Sequence, residues 1–210
     1  MILYGYYRST AAWRVRIALN LKGMAVEHRF RHLRRGEQRA PDYLALNPQG
    51  LLPALALEGG AVLTQSLAIC EYLEEVQPEP PLLPGPPLAR ARVRGFAQAI
   101  ACDIHPVQNL KVLNRVKALG HAQEEADGWA REVIAEGLAA CEALLPDSSG
   151  PFCFGATPGL ADLCLVPQLF NARRFGVALE ALPRLLAAEA ACLPLPAFAA
   201  AVPEQQADFE

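Results

Sequence analysis

The segment Gln77-Pro-Glu-Pro-Pro-Leu-Leu-Pro-Gly-Pro-Pro87 places six prolines and a glycine in one short stretch of a 210-residue chain. Each proline removes a backbone donor and fixes φ, so neither a helix nor an interior strand can run through it. Such a stretch acts as a stiff spacer. It divides the chain into an expected first domain over 1–80, a linker over 81–87 and a second domain over 88–210.

Ahead of the linker, strand and helix patterns alternate. Ile2 to Tyr6 reads as a strand, Ala12 to Lys22 as a helix, and Val26 to Phe30 as a second strand with apolar residues at alternate positions. A β-α-β unit of this size implies parallel pairing. A helical turn near Tyr43 and the turn Asn47-Pro48-Gln49-Gly50 follow. Ala54 to Leu57 and Val62 to Thr64, joined by Glu58-Gly59-Gly60, form a hairpin, and a helix runs from Ser66 to about Val76. That order is thioredoxin-like, an α/β arrangement in which a cis-proline commonly precedes the third strand, where Leu52-Pro53 stands. Beyond the linker the pattern is helical only, over about 88–117, 122–145 and 160–173, with shorter helices near 184–192 and at the end.

A net charge of −3, with 52% hydrophobic and 20% charged residues, gives a globular chain without a basic field for nucleic acid. Local arginines in a cleft would still attract anionic small molecules. Cys70, Cys102, Cys141, Cys153, Cys164 and Cys192 show no metal-binding or C-x-x-C spacing and read as buried, reduced thiols. No metal is expected. The N-terminus shows no secretory pattern and no apolar run is long enough for a bilayer, so the expectation is a soluble, cytoplasmic protein.

Four places carry candidate chemistry. Arg8-Ser9-Thr10 stands where the first strand ends and a helix begins, so the hydroxyls either cap that helix or, with its free N–H groups and dipole, hold an anion such as a thiolate. Gln65-Ser66 repeats the situation at a later helix start, with Ser66 as cap or carboxylate binder. His105-Pro106 reads as a helix kink with a structural histidine. Arg173-Arg174 ends a helix, favoured there by the dipole or presented to carboxylates.

The string Ser-Thr-Ala-Ala-Trp-Arg-Val-Arg-Ile-Ala-Leu-Asn-Leu-Lys-Gly, residues 9–23, resembles the signature of zeta-class glutathione transferases, Ser-Ser-Cys-x-x-Arg-Val-Arg-Ile-Ala-Leu-x-Leu-Lys-Gly. Thr10 replaces the second Ser of that signature and Ala11 its Cys. The segment Asp103-Ile-His-Pro106 with Asn109 resembles the bacterial isomerases of the same class, and a Gly at 159 stands where transferases usually carry Ser or Thr before Asp162.

The resemblance implies a thioredoxin-like domain followed by an all-α domain, glutathione as cofactor and a homodimer. Ser9, then Thr10, would be the thiolate partner, with Arg8 at the catalytic centre. Gln38, Leu52, Pro53, Gln65, Ser66, His105 and Asn109 would bind glutathione, and Arg8, Lys111 and Arg173 or Arg174 a dicarboxylic substrate. The implied activity is glutathione-dependent cis–trans isomerisation of maleylacetoacetate in tyrosine and phenylalanine breakdown. Isomerisation of maleylpyruvate, general glutathione conjugation, or a non-catalytic binding role on the same scaffold are the alternatives. A thiol-disulfide oxidoreductase would need a Cys at the junction, and residues 9–12 contain none.

Overall fold

The computed structural model describes residues 1–147 and 150–210. They form two compact units, Met1–Leu82 together with Pro194–Glu210, and Leu83–Leu193. The expected helical domain ran to residue 210; the last stretch instead packs with the first unit.

The first unit is built on a four-stranded mixed sheet of order β2-β1-β3-β4. β1 (Ile2–Gly5) pairs in parallel with β2 (Glu27–Phe30) and antiparallel with β3 (Ala54–Ala56), which continues into β4 (Val62–Thr64). α1 (Thr10–Leu21) is the crossover, α2 (Pro41–Leu46) fills the loop before the turn, and α3 (Ser66–Val76) packs on α1. β2 is an edge strand, and Glu27, His28 and Arg29 face solvent. The bond between Leu52 and Pro53 is cis.

α1 is buried from Thr10 to Leu19, on every side, and so buries Arg14 and Arg16 among its apolar residues. At its C-terminal end the Lys22 ammonium is also enclosed. Nζ donates to Glu74 Oε2 at 2.6 Å and to the carbonyls of Pro80 at 2.6 Å and Pro78 at 3.2 Å. The same Glu74 oxygen accepts the Leu82 N–H at 2.8 Å. One buried ion pair thus anchors the start of the proline-rich stretch to two helices.

In the second unit, α4 (Pro87–Gln98) widens into a π-helical turn over Ala99–Ile104, and α5 (Leu110–Ala118) is a separate helix. The single helix expected over 88–117 is broken because Pro106 has no N–H to continue the ladder, and His105 N–H reaches back to Ile100 O at 2.9 Å. The bulged turn presses Ile104 onto Gly137 of α6 (Gln123–Leu144), where a Cβ would lie 2.3 Å from Ile104 Cγ1. Only glycine fits there. α7 (Leu160–Arg174) packs against α4, α6 and α8 (Pro183–Cys192). It starts after Gly159 as expected, with Asp162 Oδ2 accepting the Gly159 N–H at 2.8 Å and Oδ1 the Cys153 N–H at 2.9 Å. α9 (Pro196–Ala199) belongs to the returning tail.

All six cysteines are free, and Cys102 is exposed where burial had been expected. Its place on the π-helical turn, beside exposed Asp103, turns it outward. Burial pushes the Cys141 thiol up to about 12, and raises Cys153 and Cys192 as well with Asp162 beside them. These thiols stay protonated at neutral pH.

Removing one partner of a buried ion pair leaves the other charge uncompensated. Lys22→Met should therefore lower unfolding stability by about 3–5 kcal/mol in urea denaturation, and adding Glu74→Leu should recover most of that loss.

Candidate active site

The first candidate lies where β1 hands over to α1. Ser9 is the N-cap of α1, with φ −70° and ψ 109°, and its Oγ accepts the Ala12 N–H at 3.2 Å. Both readings of this serine hold together, because accepting that bond leaves the hydroxyl proton available for a second partner. Thr10 differs. It is the first helical residue, it is buried, and its hydroxyl points into the protein with no hydrogen-bond partner. The half-buried Ser9 is the hydroxyl presented at the helix start. Arg8 is half-buried beside it, with its Nε enclosed and unpartnered.

The second candidate is the start of α3. Ser66 does not cap this helix: it is its first helical residue, and Gln65 holds the cap position without a side-chain capping bond. The Ser66 hydroxyl accepts instead from Arg14 Nη1 at 3.3 Å. Arg14 is 1% exposed, and its Nε and Nη2 have no hydrogen-bond partner. A buried guanidinium therefore stands behind a helix N-terminus whose first N–H groups are uncapped by side chains, an arrangement suited to a carboxylate. Arg14 was not among the residues that sequence reasoning picked out; a charged residue inside an otherwise apolar helix was the available signal.

Gln65 has φ 69° and ψ 115°, the one non-glycine residue with positive φ among the described residues. Side chains seldom adopt this conformation without a functional reason. It turns the Gln65 amide toward Gln49, donating to Oε1 at 2.9 Å. The Leu51 carbonyl, which leads into Leu52-Pro53, accepts from Tyr43 Oη at 2.6 Å and Asn47 Nδ2 at 2.8 Å. Gly50, at φ +58°, lies so close to Gln38 that a Cβ would meet its carbonyl oxygen at 3.0 Å. The fold thus gathers Gln38, Leu52, Pro53, Gln65 and Ser66 around one loop. The Leu52 side chain itself is buried, which leaves its backbone as the group a ligand could meet.

The second unit places the remaining candidates. Asn109 is the N-cap of α5, its Oδ1 accepting from Lys111 N at 3.0 Å and Val112 N at 3.2 Å, which leaves its amide N–H groups for another partner. Lys111 is exposed and His105 half-buried. Of the two arginines ending α7, Arg173 is committed within the protein: both terminal nitrogens donate to the buried Glu189 carboxylate, Nη1 to Oε1 at 2.6 Å. That pair holds the Arg173 pKa above its ordinary value. Arg174 is exposed, its guanidinium 4.7 Å from the Phe175 ring centroid. Among the described residues no group of three or more His, Cys, Asp or Glu is placed to hold a metal ion.

Residues 8–76 match the glutathione S-transferase N-terminal domain and residues 89–189 the glutathione S-transferase C-terminal domain. The chain belongs to the glutathione transferase family. A relative named maleylacetoacetate isomerase from Pseudomonas aeruginosa is 51% identical, covering 99% of this chain and 98% of its own. The solved structure of a maleylpyruvate isomerase with ligand bound, described as a bacterial zeta-class glutathione S-transferase, superposes with a TM-score of 0.96 at 45% identity over 100% of both chains. A maleylacetoacetate isomerase from Methylobacterium extorquens AM1, crystallised with malonate and glutathione, gives 0.94 at 43% identity over 98% of both. The two solved structures share the fold described above over essentially their whole length.

The strain at Gln65 is directly measurable. Glycine ordinarily costs stability relative to alanine, but at this φ the order should invert, with Gln65→Gly more stable than Gln65→Ala by about 1–3 kcal/mol in thermal or urea unfolding.

Proposed function

We propose that this zeta-class transferase is a glutathione-dependent cis–trans isomerase that converts maleylacetoacetate to fumarylacetoacetate in tyrosine and phenylalanine breakdown. The observation that carries the reading is Ser9 at the α1 N-cap, a hydroxyl with its proton available at a helix N-terminus, in a chain about half identical to a named maleylacetoacetate isomerase. The residues fit glutathione. The two unpartnered nitrogens of the buried Arg14 guanidinium behind Ser66 favour an anion at the α3 N-terminus, the position a γ-glutamyl carboxylate would take.

Glutathione, when bound, supplies a nucleophilic sulfur whose reversible addition turns the cis double bond into a single bond that can rotate. The Ser9 hydroxyl would donate a hydrogen bond to that sulfur, and the α1 dipole adds positive potential, both favouring the ionised form. Gln65 and Ser66 hold the carboxylate end of the tripeptide, backed by Arg14. The Leu52 backbone ahead of Pro53 would pair with the tripeptide, and Gln38 would contact it from the neighbouring turn. Arg8 would take a substrate carboxylate and offset negative charge developing on the substrate carbonyl oxygen, while Arg174 and Lys111 keep the substrate-binding roles that the family resemblance implies. Arg173, held by Glu189, supports the end of α7. His105 and Asn109 keep the glutathione-binding roles that the family resemblance implies, and a cytoplasmic homodimer completes the proposal.

Maleylpyruvate is the second reading, favoured by the TM-score of 0.96 to a maleylpyruvate isomerase. Turnover of the two compounds, each with and without glutathione, decides between them. A rate that does not depend on glutathione would overturn both.

Ser9→Ala should reduce the glutathione-dependent rate about 10²- to 10³-fold, the usual effect of losing one preorganised donor. Thr10→Val, which replaces a buried unpartnered hydroxyl by a methyl, should change it less than about threefold. Steady-state kinetics on the two variants checks the assignment.

A further inference from the structure

The turn that delivers Ser9 is held by the far end of the chain. After Gly5 the backbone leaves the sheet, and Ser9 N–H closes the turn on Tyr6 O at 3.0 Å. Neighbouring strands do not fix the two peptides inside it. Tyr7 N–H donates to Asp208 Oδ2 at 2.9 Å. The Tyr6 and Tyr7 carbonyls accept from Arg16, at 3.4 Å and 3.0 Å. Arg16 is itself locked by two bonds to Ala201 O, at 3.1 Å and 3.0 Å. Tyr7 Oη donates to the Glu210 carbonyl at 3.2 Å, and the Phe209 ring meets the Tyr7 ring edge-on at 5.4 Å. The Glu210 carboxylate fastens the strap to His32 and to Arg35.

We propose that the C-terminal strap, acting through Asp208 and the Arg16 guanidinium, is a positioning element that sets the Ser9 hydroxyl for its bond to the glutathione sulfur. The inference rests on Ser9 being the thiolate partner. A hydroxyl-to-sulfur bond depends on direction, and this turn is what joins Ser9 to the sheet, which holds the backbone up to Gly5. Asp208 is the junction of the arrangement. One carboxylate oxygen holds Tyr7, its charge faces Arg16, and its other oxygen is buried without a partner. Burial lowers the Arg16 pKa to about 10, and the nearby Asp208 carboxylate opposes the fall. With the acceptor gone, Tyr7 N–H would be left buried and unpaired and the turn would relax to find water, carrying Ser9 with it.

The test is titration of the bound glutathione thiol by its ultraviolet thiolate absorbance, in the full chain and in D208A, D208N, S9A and S9A/D208A. In D208A the thiol should titrate about one pH unit higher, a tenfold loss of thiolate below its pKa, with glutathione affinity changed less than about threefold. D208N keeps an acceptor oxygen for Tyr7 and should restore most of the shift. In the S9A background D208A should add nothing, because it acts through Ser9. A lower melting temperature in D208A with the thiol pKa unmoved overturns the proposal and leaves the strap purely structural. A shift in S9A/D208A equal to the sum of the two singles overturns it too. If S9A itself leaves the thiol pKa unchanged, the assignment of Ser9 has failed instead. Should D208A not fold, a chain ending at Ala207 is read by the same criteria.

Discussion

Three cations buried along one helix organise the first unit. Arg14, Arg16 and Lys22 lie on or just after α1, each at most 5% exposed, and none can stay folded without fixed acceptors. Each therefore binds a different part of the chain to the same helix. Arg14 reaches the start of α3 through Ser66, Arg16 reaches the β1–α1 turn and Ala201 of the tail, and Lys22 reaches Glu74 and the carbonyls of Pro78 and Pro80. The sheet supplies the frame, but these three side chains determine which loops stand next to α1 and at what register.

The chemistry follows from that arrangement. In the proposed function a thiol must be ionised and a tripeptide carboxylate held, and both tasks would fall to helix N-termini, of α1 and of α3. The two helices pack on each other, and Arg14 spans from one to the start of the other. The compromise shows in local cost: Gln65 is held at φ 69°, and Arg14 keeps two nitrogens unpaired. Both departures from ordinary backbone and burial rules stand beside Ser66, where an anion would compensate them.

Much of the fold was legible because local rules and tertiary packing agree. The alternation of strand and helix patterns, the Glu58-Gly59-Gly60 hairpin and the start of α7 at Gly159 follow from turn chemistry and periodicity. Pro106 signalled a kink, but that it ends the helix, and the π-helical turn before it beside Gly137, no local pattern announces. At the site, the Ser-Thr pair was visible, and only the family resemblance put Ser9 ahead of Thr10. Helix phase separates them, turning Thr10 into the core and leaving Ser9 at the cap. Arg173 and Arg174 looked alike in sequence, and it is Arg173 that Glu189 of α8, sixteen residues further on, holds.

The sequence by itself determined the order of elements, the division at the prolines and the residue types available to hold a thiolate and carboxylates. Those are properties of short segments, governed by φ/ψ preference and side-chain spacing. Only the tertiary structure decided that Arg14 and Arg16 are buried, that Ser66 answers to Arg14 rather than capping α3, and that Asp208 and Glu210 return to brace the turn before Ser9. These contacts join residues 52 to about 200 positions apart, and which acceptor a buried cation finds is set by packing that no local pattern encodes.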